Sequence, residues 1–192
     1  MPLSQKLIRA AWMAIVLGLV MELIVLAARG SSASTLVRDT LSKVAWSSIV
    51  CFGVAIGAAA SAKMRSPAMA VAGFFSAPAG FAVARIVQKA LSQAAGSSSE
   101  SLKGVALLAL LKALEYGGFG LVTGWLSNDR MTRAPHYATT GAFTGLYFGG
   151  LITTVVAAGS KARIVPLALN EILFPIGCAM VLYVSGMLAR ND

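Results

Sequence analysis

Lys112 and Glu115 stand three residues apart in the segment 110–120, LLKALEYGGFG. That spacing places both on one face of a helix. The surrounding residues are apolar, and on insertion scales a charge at such depth costs about 2.5–3.5 kcal/mol. A carboxylate there must be paired, reached by water, or protonated, and the last is the chemistry of a proton-exchange site. Glu22 occupies a comparable place in the first apolar run, and Asn170-Glu171 lies inside the sixth. Glu22, Lys112, Glu115, Asn170 and Glu171 are therefore the candidates for an ion, solute or proton-coupling site. The structural alternative is neutralisation, with Lys112 pairing Glu115 or reaching Glu22 on another helix.

Other chemistry finds little support. The one histidine, His136, excludes most His-based triads and multi-His metal sites. Cys51 and Cys178 both sit within apolar runs and read as small buried hydrophobes. No GxSxG, HExxH or phosphate-cradling glycine loop occurs. No enzyme activity, cofactor or metal is expected.

The elements that must position these residues are transmembrane helices. Of 192 residues, 57% are hydrophobic and 12% charged, whereas a soluble domain carries about 25% charged residues. Six apolar runs are long enough to cross a bilayer, at 7–28, 44–62, 67–91, 104–126, 138–159 and 164–188. The N-terminus is basic, with Lys6 and Arg9, but the apolar stretch is too long for a secretory signal core, so it reads as a retained span. Residues 63–66 form a tight turn, and 94–102 is a Ser-rich linker. The net charge of +9 comes from basic residues placed one to three at a time beside the runs. These read as interfacial anchors and contacts to anionic lipid, with no nucleic acid as partner.

The halves 1–93 and 103–192 repeat one another in outline. Glu22 aligns with Glu115, Ser47-Ser48 with Thr139-Thr140, and Gly53 and Gly57 with Gly145 and Gly149. Pro78-Ala79-Gly80 aligns with Pro175-Ile176-Gly177, in the same order and at nearly constant separation. Three spans per unit is odd, so the second unit enters from the opposite side. The expected fold is all-α, with two inverted three-helix repeats about an axis in the membrane plane. Pro78 with Gly80, and Pro175 with Gly177, are candidate helix breaks. Gly53, Gly57, Gly141, Gly145 and Gly149 are candidate packing positions, within the chain or in a homo-oligomer.

Orientation is balanced. With the N-terminus inside, Lys6, Arg9, Lys63, Arg65, Arg130, Arg133 and Arg190 face in, seven residues. Arg29, Arg38, Lys43, Arg85, Lys89, Lys103, Lys161 and Arg163 face out, which is eight. The compact basic groups at 63–65 and 130–133 favour the N-terminus inside.

Six spans in two halves resemble the aquaporin plan, although that family's paired Asn-Pro-Ala signatures are absent. Ser66-Pro67-Ala68 and Ala77-Pro78-Ala79 come nearest, both in the first half. The glycine-bearing second and fifth spans resemble those of trimeric intracellular cation channels, which have a seventh span. Length and span number are similar to those of vitamin-capturing subunits of bacterial importers. No residue role transfers from these families. The expected function is passage of a small solute or ion through the repeat interface of a multi-pass protein, placed in a bacterial cytoplasmic membrane. The alternative is a non-catalytic subunit of a larger or homo-oligomeric membrane assembly.

Overall fold

A computed structural model describes residues 1–29, 33–94, 104–128, 133–156 and 161–188. Among the described residues there are six helices: α1 (Leu3–Arg29), α2 (Ala33–Ala58), α3 (Ala62–Ala94), α4 (Val105–Leu126), α5 (Ala134–Val156) and α6 (Lys161–Val184). Five of them, all but α5, are long and apolar enough to cross a membrane. The fifth expected span, 138–159, is the exception because Gly, Thr and Tyr dilute the aliphatic residues of α5. With 33 residues, α3 is about 50 Å long at 1.5 Å per residue. That exceeds the ~30 Å hydrocarbon core of a bilayer.

Neighbours in sequence pack together, and α6 returns to α1, so the helices close a ring in chain order. Contacts fix each direction. Lys43 meets Glu22, Gly57 meets Met69, Gly124 meets Ser66, and Gly145 meets Ile172. Packed neighbours are thus antiparallel. One end of the bundle gathers the start of α1, the turn between α2 and α3, the end of α4 and the start of α5. There Asn128 Nδ2 donates to the Ala62 carbonyl at 3.1 Å. The turn itself spans 59–61, so Lys63, Arg65 and Ser66 belong to the first turns of α3 instead of the loop expected at 63–66.

The outer surface is apolar. Ile8, Trp12, Val16, Leu19 and Leu23 form one exposed stripe along α1, and Leu107, Leu110, Leu114, Leu121 and Trp125 form another along α4. Spacings of three, four and seven residues put each set on one face. Exposed apolar area on this scale suits lipid and not water. The opposite face of α4 is buried and carries Lys112, Glu115, Tyr116, Phe119, Gly120 and Thr123.

Glycine sets how closely the helices approach. Gly53 and Gly57 of α2 face Ser76 and Met69 of α3, while Gly141, Gly145 and Gly149 of α5 face Ile176, Ile172 and Glu171 of α6. Both sets are occupied within the chain. The α3–α4 seam is also glycine-lined, by Gly73, Gly120 and Gly124. Ser66 Oγ donates across it to the Leu121 carbonyl at 2.8 Å.

The candidate helix breaks are not breaks. α3 runs unbroken through Pro67 and Pro78, and α6 through Pro166 and Pro175. Proline removes one donor, but the turns on either side are held by packing. A Cβ at Gly80 would lie 3.2 Å from Val50 of α2, and one at Gly177 would strike Leu17 of α1. These glycines admit neighbouring side chains. The hydroxyls on α2 and α5 stay local: Ser47 donates to the Val44 carbonyl, Thr139 to that of Pro135 and Thr140 to that of His136.

The seam makes a stability prediction. A Cβ at Gly120 would sit 2.6 Å from the Met69 carbonyl carbon and 3.0 Å from the Ala70 nitrogen. Backbone cannot yield as a side chain does, so Gly120→Ala should cost about 1–3 kcal/mol. Gly118 has nothing within 4 Å of the same point. Gly118→Ala should be neutral or gain up to about 1 kcal/mol of helix propensity. Thermal unfolding in detergent compares the two, and equal behaviour would contradict the seam.

Candidate functional site: a charge triad in the bundle centre

The buried charges fall into two groups. Glu22 of α1, 1% exposed, pairs with Lys43 of α2. Among the described residues this contact joins one carboxylate to one ammonium. This pair lies on helices of the first half, and Lys112 does not reach it. The expected grouping of Glu22 with Glu115 is therefore not realised. Lys43, at the edge of an apolar run, gives no signal in sequence beyond its charge.

The second group is a triad. Lys112 Nζ donates to Glu115 Oε2 at 2.8 Å on its own helix, and to Glu171 Oε2 on α6. The i, i+3 spacing delivers the first contact. The second requires the tertiary fold. All three side chains are buried, Glu115 completely and Lys112 and Glu171 to 7% and 6% exposure. Glu115 and Glu171 lie near the middle of their helices. Asn170 Nδ2 donates to Glu171 Oε1 at 3.4 Å, so both oxygens of that carboxylate are engaged. Glu115 Oε1 has no partner.

Aromatic rings wall the triad. Trp46 of α2, Tyr116 of α4 and Phe174 of α6 meet pairwise with centroids 5.8, 5.9 and 6.2 Å apart, edge-on or tilted. These three alternate helices reach the centre of the ring, which the aromatic side chains fill. Lys112 Nζ lies 5.4 Å from the Trp46 ring centroid and 5.7 Å from that of Tyr116. Cation–π attraction at a desolvated site is worth about 2 kcal/mol, so the rings supplement the carboxylates. Nothing in the sequence marks Trp46 and Phe174 as site residues. Tyr116 follows Glu115 directly, and its hydroxyl and that of Thr123 are buried without a partner.

The groove between α1 and α2, lined by Ala11, Ile15, Ser48, Ile49 and Phe52, includes none of the triad. Cys51 of α2 and Cys178 of α6 are fully buried and unbridged. Among the described residues no group of three or more His, Cys, Asp or Glu is placed to hold a metal ion. The triad can do two things: hold a compensating charge, and exchange a proton or small cation for it.

Fold and buried charges together define an all-helical, multi-pass type of membrane protein. No family model matches the chain, and no curated protein or solved structure is significantly similar to it.

Proposed function

We propose that the protein is a proton-linked carrier of a small solute or ion, with Lys112, Glu115 and Glu171 as its coupling site. One observation carries this reading: two buried carboxylates share a single ammonium. A purely structural pair needs one acid per base. The triad has one carboxylate more than its lysine can neutralise. An uncompensated buried charge costs several kcal/mol, and a proton or a cation removes that cost. Glu115, with Oε1 unpartnered, is where the exchange takes place.

A carrier fits better than an open pore because aromatic rings fill the centre beside the triad. In this reading the halves 1–93 and 103–192 are inverted repeats that rock against one another in a bacterial cytoplasmic membrane. α1 and α4 run in opposite directions, which supports the inversion. An assembly role would draw on the glycine faces, and helices of the same chain occupy those.

The test is vectorial. Purified protein is reconstituted in liposomes loaded with a pH-sensitive dye, a pH gradient is imposed, and monovalent cations, amino acids and organic ammonium compounds are offered in turn. The reading expects one class to move protons with the wild type and not with Glu115→Gln. Solute movement indifferent to the gradient, or unchanged in Glu115→Gln, would contradict it.

A further inference from the structure

Arg65 is a buried cation with no anion beside it among the described residues. It lies in the first turn of α3 and is 6% exposed. Among the described residues its hydrogen bond runs from Nη1 to Ser127 Oγ at 3.5 Å, and Nε has no partner. Ser127 Oγ is itself committed as donor to the Gly124 carbonyl at 2.8 Å. The four carboxylates among the described residues, Glu22, Asp39, Glu115 and Glu171, pair elsewhere or lie away from this end of the bundle. A buried guanidinium with five donors and a single long contact is unusual, because its desolvation is uncompensated.

The surroundings sharpen the deficit. Lys63 shares the first turn of α3, which holds no acidic residue. Two cations at a helix N-terminus oppose the macrodipole, a cost of about 0.3–1 kcal/mol each. Lys6, Arg9 and Arg133 lie at the same end of the bundle, and no described carboxylate does. The depth is also informative. Ser127 follows the exposed Trp125 by two residues, and Trp12 and Tyr183 are exposed towards the same end. Exposed Trp and Tyr mark the headgroup level of a bilayer. Arg65 therefore lies at the depth of lipid phosphate, where α3 begins and α4 ends.

We propose that Arg65 is the anchor of a specific phosphate site, filled by the headgroup of an anionic phospholipid in the leaflet at the basic end. The guanidinium fork matches two phosphate oxygens, supplies the missing partner of Nε and discharges the positive helix end. Scattered surface lysines attract anionic lipid diffusely. A buried fork binds one molecule. The same chemistry would accept free phosphate, and the experiment separates the two.

The full-length protein is purified in neutral detergent, and unfolding temperature is followed during titration with phosphatidylglycerol, phosphatidylcholine or inorganic phosphate. Phosphatidylglycerol should stabilise the wild type and phosphatidylcholine should not. Arg65→Gln should weaken the apparent affinity for phosphatidylglycerol by about tenfold, the loss of one charge-assisted contact. Lys63→Gln, which removes an exposed charge from the same turn, should leave most of the effect. If inorganic phosphate stabilises as well as the lipid, and Arg65→Gln abolishes both effects, the site stands with a soluble anion as its ligand. Should Arg65→Gln not fold, Arg65→Lys keeps the charge without the fork and should at least halve the shift. Stabilisation undiminished in both Arg65 variants, or stabilisation by no anion, overturns the proposal.

Discussion

Lys112→Met is expected to be among the most damaging single substitutions in this protein. Methionine fills most of the volume but leaves Glu115 and Glu171 facing each other without their shared ammonium. Removing one partner from a buried ion pair costs about 3–5 kcal/mol, because the remaining charge is uncompensated. Here two remain. The loss should appear as reduced expression and a large fall in unfolding temperature in detergent. Adding Glu115→Gln and Glu171→Gln to the same chain removes the stranded charges, and stability should return to near the wild-type level. The recovered protein should fold and carry out no proton-linked transport. A Lys112→Met variant as stable as the wild type would mean that the carboxylates do not depend on that lysine.

Tyr116 makes a second large prediction, with two variants that should behave oppositely. Its ring is fully buried and in contact with those of Trp46, Phe119 and Phe174. Tyr116→Ala opens a cavity where α2, α4 and α6 meet around aromatic rings, and should cost about 3–5 kcal/mol. Tyr116→Phe removes only a hydroxyl that has no partner. Deleting an unsatisfied buried polar group is neutral or stabilising, so the melting temperature should hold or rise. Transport separates structure from function in this variant. If the hydroxyl meets the solute during the cycle, Tyr116→Phe is stable and slow. If Tyr116→Phe is as damaging as Tyr116→Ala, the hydroxyl bonds to something essential in the folded protein.

Different parts of this architecture are legible at different ranges. The apolar runs are local, and they locate the helices to within a few residues. Their ends shift because polar residues such as Lys63 and Arg65 extend a helix past its apolar core. Lys112 with Glu115 is also local, since three residues of separation settle a shared face. Glu171 as the third member is not local. Nothing in the sixth run says which buried cation it meets, and Asn170-Glu171 reads equally well as a cap or an interfacial pair. The same holds for Glu22 and Lys43, which join only when α1 and α2 are placed side by side.

The aromatic centre is the least legible feature. Trp46, Tyr116 and Phe174 come from three separate apolar runs, and aromatic residues in such runs more commonly face lipid. Phe143 and Trp125, at 74% and 68% exposure, do face outward. Glycine is intermediate. The spacing of Gly53 with Gly57 and of Gly145 with Gly149 announces close packing without its partner. The Gly120–Gly124 pair on α4 carries the same spacing and proves to line a seam with α3. Arg65 shows the opposite failure. Beside Lys63 it resembles a solvated anchor, and only the fold turns it inward against Ser127.

The central claim is that Glu115 and Glu171 together hold an exchangeable proton beside Lys112. Infrared difference spectroscopy of the protein in lipid reads it directly, because a protonated carboxyl in an apolar site has a carbonyl stretch distinct from that of a carboxylate. Acid-minus-alkaline spectra should show one such band, shifted by deuterium exchange. The band should be lost or displaced in Glu115→Gln and retained in a variant of the Glu22–Lys43 pair. A wild-type spectrum in which no buried carboxyl gains a proton, or a band that survives unchanged in both Glu115→Gln and Glu171→Gln, would contradict the account.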